Sequence, residues 1–144
     1  NSWVDEWVAA AQDLSKRGQK VLIIRDTIRA DEVLPGASEP ILDAGLIARD
    51  LVTRAFVYSN ADLNVGISNG PMWMSIFMGA PTLMLRPTTN AAGGCYDDKF
   101  YARFGLLRGG QLPTSPPCQR LVWREDEASI IVEEVERFLS NNAA

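Results

Sequence analysis

Residues 63–85 restrict the fold more than any other stretch. Leu63, Val65 and Ile67 alternate with smaller or polar residues as in a strand, and the polar turn Ser68-Asn69-Gly70-Pro71 follows. Pro71 suits the first turn of a helix capped by Ser or Asn, Gly79 and Pro81 end that helix, and Thr82-Leu83-Met84-Leu85 form a second strand. Strands joined by so short a helix lie side by side and parallel, with a right-handed crossover. The turn then opens at the carboxyl edge of the sheet, where open α/β sheets bind their ligands.

Backbone N–H groups of the first helical turn face that edge, and Gly70 offers no side chain to obstruct an approaching group. A phosphate is the expected guest. The same four residues serve equally as an ordinary cap and turn. Met72 and Trp73 sit beside the turn. Trp73 either stacks on a base or sugar or fills the core, and Met74, Ile76, Phe77 and Met78 pack.

The run Val65-Gly66-Ile67-Ser68-Asn69-Gly70-Pro71-Met72-Trp73-Met74, followed by Gly79-Ala80-Pro81-Thr82-Leu83-Met84-Leu85, resembles the donor-site segment of GT-B glycosyltransferases, especially the bacterial heptosyltransferase-like group. That group shows a strand, Asp-Ser/Thr-Gly-Pro-x-His, a small-residue helix, Gly-x-Pro and a strand. Gly70, Pro71, Met72 and Pro81 match, while Ser68, Asn69 and Trp73 stand where the group has Asp, Ser/Thr and His. The resemblance implies a transferase that moves a sugar from a nucleotide-sugar to the hydroxyl of an acceptor glycan or other compound. Ser68, Asn69, Gly70, Pro71, Met72 and Trp73 would hold the donor, Arg86 would assist, and Thr88, Thr89 and Asn90 would line the sugar side. The general base would come from a preceding domain, and no cofactor beyond the nucleotide-sugar substrate is implied. A nucleotide-sugar 2-epimerase and a catalytically silent nucleotide-binding or interaction domain remain as alternatives.

With 144 residues and 47% hydrophobic content, the chain matches one globular domain. Because it opens on a helix signal, the expectation is that residues 1–144 are one nucleotide-sugar-binding domain of a larger protein whose N-terminal domain precedes Asn1. The net charge of −4, with no basic cluster longer than Lys16-Arg17, lacks the footprint of nucleic-acid or anionic-membrane binding. No membrane-span run or signal peptide is legible, so a cytoplasmic setting is expected. The absence of histidine excludes Ser-His-Asp and Cys-His catalysis and His-ligated metals within this chain. Cys95 and Cys118 fit no redox or zinc spacing and read as reduced thiols. No metal is expected.

Elsewhere, Ser2 and Asp5 form a capping pattern for a helix over 3–17, stopped by Gly18. Val21-Leu22-Ile23-Ile24 reads as an interior parallel strand covered on both faces, with Trp3 and Trp7 packing nearby. Asp26 and Thr27 lie at its carboxyl end, where Asp26 either accepts a ribose hydroxyl or only turns the chain. Residues 26–40 read as irregular, with a short extra strand near Val33-Leu34. Ser38-Glu39-Pro40 then starts the longest helix, with Ala44, Ile47, Leu51, Ala55 and Tyr58 facing inward and Asp43, Asp50 and Arg54 wet.

Arg86 reads as the best phosphate cation or as a partner of a local carboxylate such as Asp97 or Asp98, and Gly93-Gly94 as a lid or a tight turn. Asp97-Asp98 caps a helix from Lys99 to Phe104. Leu121-Val122-Trp123 is the last strand, Arg124-Glu125-Asp126 caps the terminal helix, and Asn141 to Ala144 fray. Strands alternating with helices predict an α/β domain with a three-layer, Rossmann-like parallel sheet, a single GT-B-type half.

Overall fold

The structure, a computed structural model, describes residues 3–25, 27–32, 34, 36, 41–88, 97–103 and 105–142. It is mixed α/β. In chain order come α1 (Val4–Lys16), β1 (Leu22–Ile23), β2 (Leu42–Asp43), α2 (Leu51–Asn60), β3 (Asn64–Ile67), α3 (Gly70–Phe77), β4 (Thr82–Leu85), α4 (Asp98–Ala102), β5 (Gln119–Val122) and α5 (Ala128–Asn142). Short 3-10 turns cover Thr27–Arg29 and Gly45–Arg49. The strands form two parallel sheets, β1-β2 and β3-β4-β5.

The central unit follows the sequence closely. β3 pairs β4 in parallel with Ile67 opposite Leu85, and β4 pairs β5 with Leu85 opposite Val122. Side chains alternate across a strand, so Leu83, Leu85 and Val122 join Ala10, Leu14, Ile131 and Val135 in one cluster with α1 and α5. Met84 and Leu121 join Met72, Tyr101 and Leu106 on the other face with α3 and α4. β4 is buried on both faces, which explains its unbroken Thr-Leu-Met-Leu run. Gly79, at φ +73°, supplies the left-handed residue that ends α3, and its N–H returns to Ile76 O.

The region before β3 departs from expectation. β1 is parallel as expected, but it spans two residues, leaves Leu22 38% exposed and pairs only with β2 among the described residues. It is not an interior strand. A short strand forms at Leu42–Asp43; of the extra strand expected near Val33-Leu34, Leu34 is in no strand and Val33 lies outside the described residues. The helix expected from Ser38-Glu39-Pro40, also outside them, is replaced by this strand, the Gly45–Arg49 turn and the shorter α2; α5 is the longest helix. Asp50 restarts the helix because its extended backbone and carboxylate cap the Val52 N–H at 3.0 Å. Gly45 opens the preceding turn in close contact with Ala30, where a Cβ would lie 2.0 Å from Ala30 O, so the position has no room for a side chain.

The wet face also changes, since Arg54 is 5% exposed and Leu51 is 68% exposed. In its first turn Arg54 Nη2 donates to Arg25 O beyond β1, and beyond its middle Tyr58 O accepts from Asn64 Nδ2 at the start of β3. α2 therefore runs back from the carboxyl end of β1 to the amino end of β3.

At the termini, α1 begins after Trp3, which makes no side-chain cap; Ser2 lies outside the described residues. Asp126 does not cap α5. Glu6 of α1 does so instead, accepting the Ala128 N–H at 2.7 Å. α5 continues through Asn142, so the expected fraying does not reach Asn141 or Asn142, and Ala143 and Ala144 lie outside the described residues. Asp97 caps α4 as expected, accepting the Phe100 N–H at 2.7 Å; Phe104 lies outside the described residues. No helix among the described residues is long and apolar enough to cross a membrane.

Candidate functional site at the carboxyl edge

The register of Ile67 against Leu85 makes Ser68 and Arg86 leave neighbouring strands at the same level. Asn69 caps α3: its Oδ1 accepts the Met72 N–H at 2.9 Å and its carbonyl accepts the Trp73 N–H at 3.1 Å. Pro71 has no N–H. The cap therefore leaves Gly70 as the first-turn donor that still faces outward. Gly70 is exposed, and a Cβ built on it meets nothing within 4 Å, so the helix start is open to an approaching group. Asn69→Ala is expected to cost about 0.5–2 kcal/mol, the usual worth of such a cap, measured by urea unfolding followed by circular dichroism.

The other side chains of the turn point inward. Ser68 is buried, with its Oγ 3.1 Å from the Tyr101 hydroxyl, which donates to Pro87 O at 2.9 Å. Tyr101 has one hydroxyl proton and gives it to Pro87, so Ser68 is the donor between them. Met72 fills the cluster around Met84 and Tyr101. Trp73 packs against that cluster, its ring 6.4 Å from Tyr101 and 5.9 Å from Phe77. Of its two sequence readings, core packing is the one with contacts. Thr88 is buried and accepts from Arg108 Nη2 at 3.3 Å. Thr27 donates to Ala48 O at 3.2 Å. Asp26, Thr89, Asn90, Gly93, Gly94 and Cys95 lie outside the described residues, and Cys118 is a free, half-buried thiol.

Arg86 closes the edge on the β5 side. Its φ of +43° is left-handed, a conformation that strains any residue with a Cβ, and it is held there by its N–H bonds to Val122 O and Arg124 O. Its guanidinium lies 3.2 Å from Asp126 Oδ1, 3.8 Å from Glu125 and 5.9 Å from the centre of the half-exposed Trp3 ring. Asp126 is fully buried and accepts the Trp7 indole N–H at 2.9 Å. Arg86 thus pairs with carboxylates, though with Asp126 and Glu125 in place of Asp97 or Asp98.

Sequence reasoning missed Asp126, Trp3 and Arg108 as neighbours of this edge. The signal for Asp126 was its place just beyond β5, at the same carboxyl edge as Arg86. Among the described residues, no group of three His, Cys, Asp or Glu side chains is placed to hold a metal. The chain matches no family model, no curated protein and no solved structure.

Proposed function

We propose that residues 1–144 are the donor-binding half of a GT-B-like glycosyltransferase, with a three-layer Rossmann-like architecture, working in the cytoplasm on a nucleotide-sugar. The observation that carries this reading is the parallel β3-α3-β4 unit, whose open, Asn69-capped helix start emerges beside Arg86 and Thr88 at one carboxyl edge. It is built from the residues that resemble the GT-B donor segment. The leaving diphosphate would meet the Gly70 N–H and the positive end of α3, with Arg86 as the nearby cation and Asn69 and Pro71 shaping the turn. The sugar would lie toward Thr88, Thr89 and Asn90, and the nucleoside toward Asp26 and Thr27. Acceptor deprotonation falls to a preceding domain.

A second reading, a catalytically silent binding domain, is favoured by one observation: Ser68, Met72 and Arg86 are engaged inside the fold, which leaves a single outward donor in the first turn of α3.

Titration with ADP, GDP and UDP, followed by turnover assays with acceptor hydroxyl compounds in the longest protein containing this chain, separates these readings. Release of nucleoside diphosphate that requires an acceptor is the expected result. Binding without turnover would favour the silent domain, acceptor-independent sugar conversion an epimerase, and no binding of any nucleotide would remove the donor role.

A further inference from the structure

Among the described residues, no carboxylate pairs with Arg54 of α2. Arg54 is 5% exposed, and among the described residues its side chain makes one hydrogen bond, from Nη2 to the backbone carbonyl of Arg25 at 3.1 Å. Its Nε is buried without an acceptor. Among the described residues, Glu32 bonds Arg25 and Arg29, Asp31 bonds Arg49, and Asp50 accepts from the Val52 N–H and the Thr53 hydroxyl. A buried guanidinium without a counter-charge is among the least favourable arrangements in a protein interior.

The charge is felt by its neighbour one helical turn on. Burial raises the Tyr58 hydroxyl above its ordinary value, and the Arg54 charge pulls it partly back. The site lies at the carboxyl end of β1, where Arg54 Nη2 meets the Arg25 carbonyl.

We propose that Arg54 is an anion-binding residue, and that its ligand is a small oxyanion, the phosphate or carboxylate group of a metabolite. The planar fork of the guanidinium matches two oxygens of such a group, and the orphaned Nε is the donor such a fork would use. This site is separate from the Asn69-Gly70 turn and does not depend on the glycosyltransferase reading.

The test is thermal unfolding and isothermal titration of the full chain with inorganic phosphate and with succinate, against chloride at equal ionic strength. The wild type should melt at a higher temperature in one of the two oxyanions, which identifies the group preferred. Arg54→Met, which keeps the bulk and removes the charge, should abolish that rise, weaken binding by at least about tenfold and melt no lower than wild type in chloride. Arg54→Lys should keep a reduced rise, because it retains the charge without the fork. Gly70→Val should leave the rise intact. The proposal is overturned if neither oxyanion stabilises the wild type, if the rise survives in Arg54→Met or disappears in Gly70→Val, or if Arg54→Met fails to fold in chloride.

Discussion

Replacing Asp126 with alanine is expected to cost about 3–5 kcal/mol of folding stability, the range for removing one partner of a buried ion pair. The carboxylate is fully buried, and two elements depend on it: Arg86 at the end of β4 through Oδ1, and Trp7 of α1 through Oδ2. Its removal takes from the guanidinium of Arg86 its buried carboxylate and strips the indole N–H of its acceptor. Asp126→Asn should cost less, since an amide oxygen can still accept from Trp7 while the charge is lost. Arg86→Ala tests the pair from the other side, and a double-mutant cycle should return a coupling of about 0.5–3 kcal/mol. Arg86→Gly should be better tolerated than Arg86→Ala, because glycine relieves the left-handed backbone at φ +43°. Urea unfolding of the four single variants gives these values. A loss below about 1 kcal/mol for Asp126→Ala would place this carboxylate among ordinary surface pairs and remove it as the anchor of the edge.

The contrast between 63–85 and 38–60 shows what a sequence can specify. In 63–85 every local signal agreed: alternation in β3, an Asn cap, Pro71 in the first turn, a left-handed Gly79 and an apolar β4. Local and global preferences pointed the same way, and the unit formed as read. In 38–60 the helical spacing of Ala44, Ile47, Leu51, Ala55 and Tyr58 ran across the Gly45–Arg49 turn and the Asp50 cap before it reached α2. The stripe holds in part: Tyr58 is buried and Ile47 and Ala55 are half-buried, but Leu51 faces water, while Arg54 is drawn under the carbonyl of Arg25 by tertiary contacts that no local pattern encodes. Asp50 was the available warning, since an Asp before an apolar run is a helix start as readily as a wet-face residue.

The candidate site divides along the same line. Its position followed from β-α-β topology, which depends only on element order and handedness. The engagement of Ser68 by Tyr101 and of Arg86 by Asp126 joins residues 33 and 40 positions apart, pairings that one sequence cannot reveal.

The two glycines that flank the turn should respond to substitution in opposite ways. Gly66 lies inside β3, and a Cβ there would fall 2.6 Å from Met72 Sδ, within a side chain already packed against Met84 and Tyr101. Gly66→Ala is therefore expected to cost about 1–3 kcal/mol of stability by overpacking, with nucleotide affinity changed only as far as the fold is. Gly70 faces open space, its φ is not left-handed, and valine, whose helix propensity is no lower than glycine's, should fold there as wild type does. The branched side chain would stand over the outward N–H at the helix start, where the donor diphosphate is proposed to rest. Affinity for the preferred nucleotide should fall by about 1.5–3 kcal/mol, the worth of a hydrogen bond to a charged group, or roughly ten- to a hundredfold in Kd. Titration of both variants with ADP, GDP and UDP, alongside their unfolding curves, reads stability and affinity separately. A well-folded Gly70→Val protein that binds nucleotide as wild type does would take the diphosphate away from this turn, and the silent-domain reading would then account for the α3 cap better than the transferase reading does.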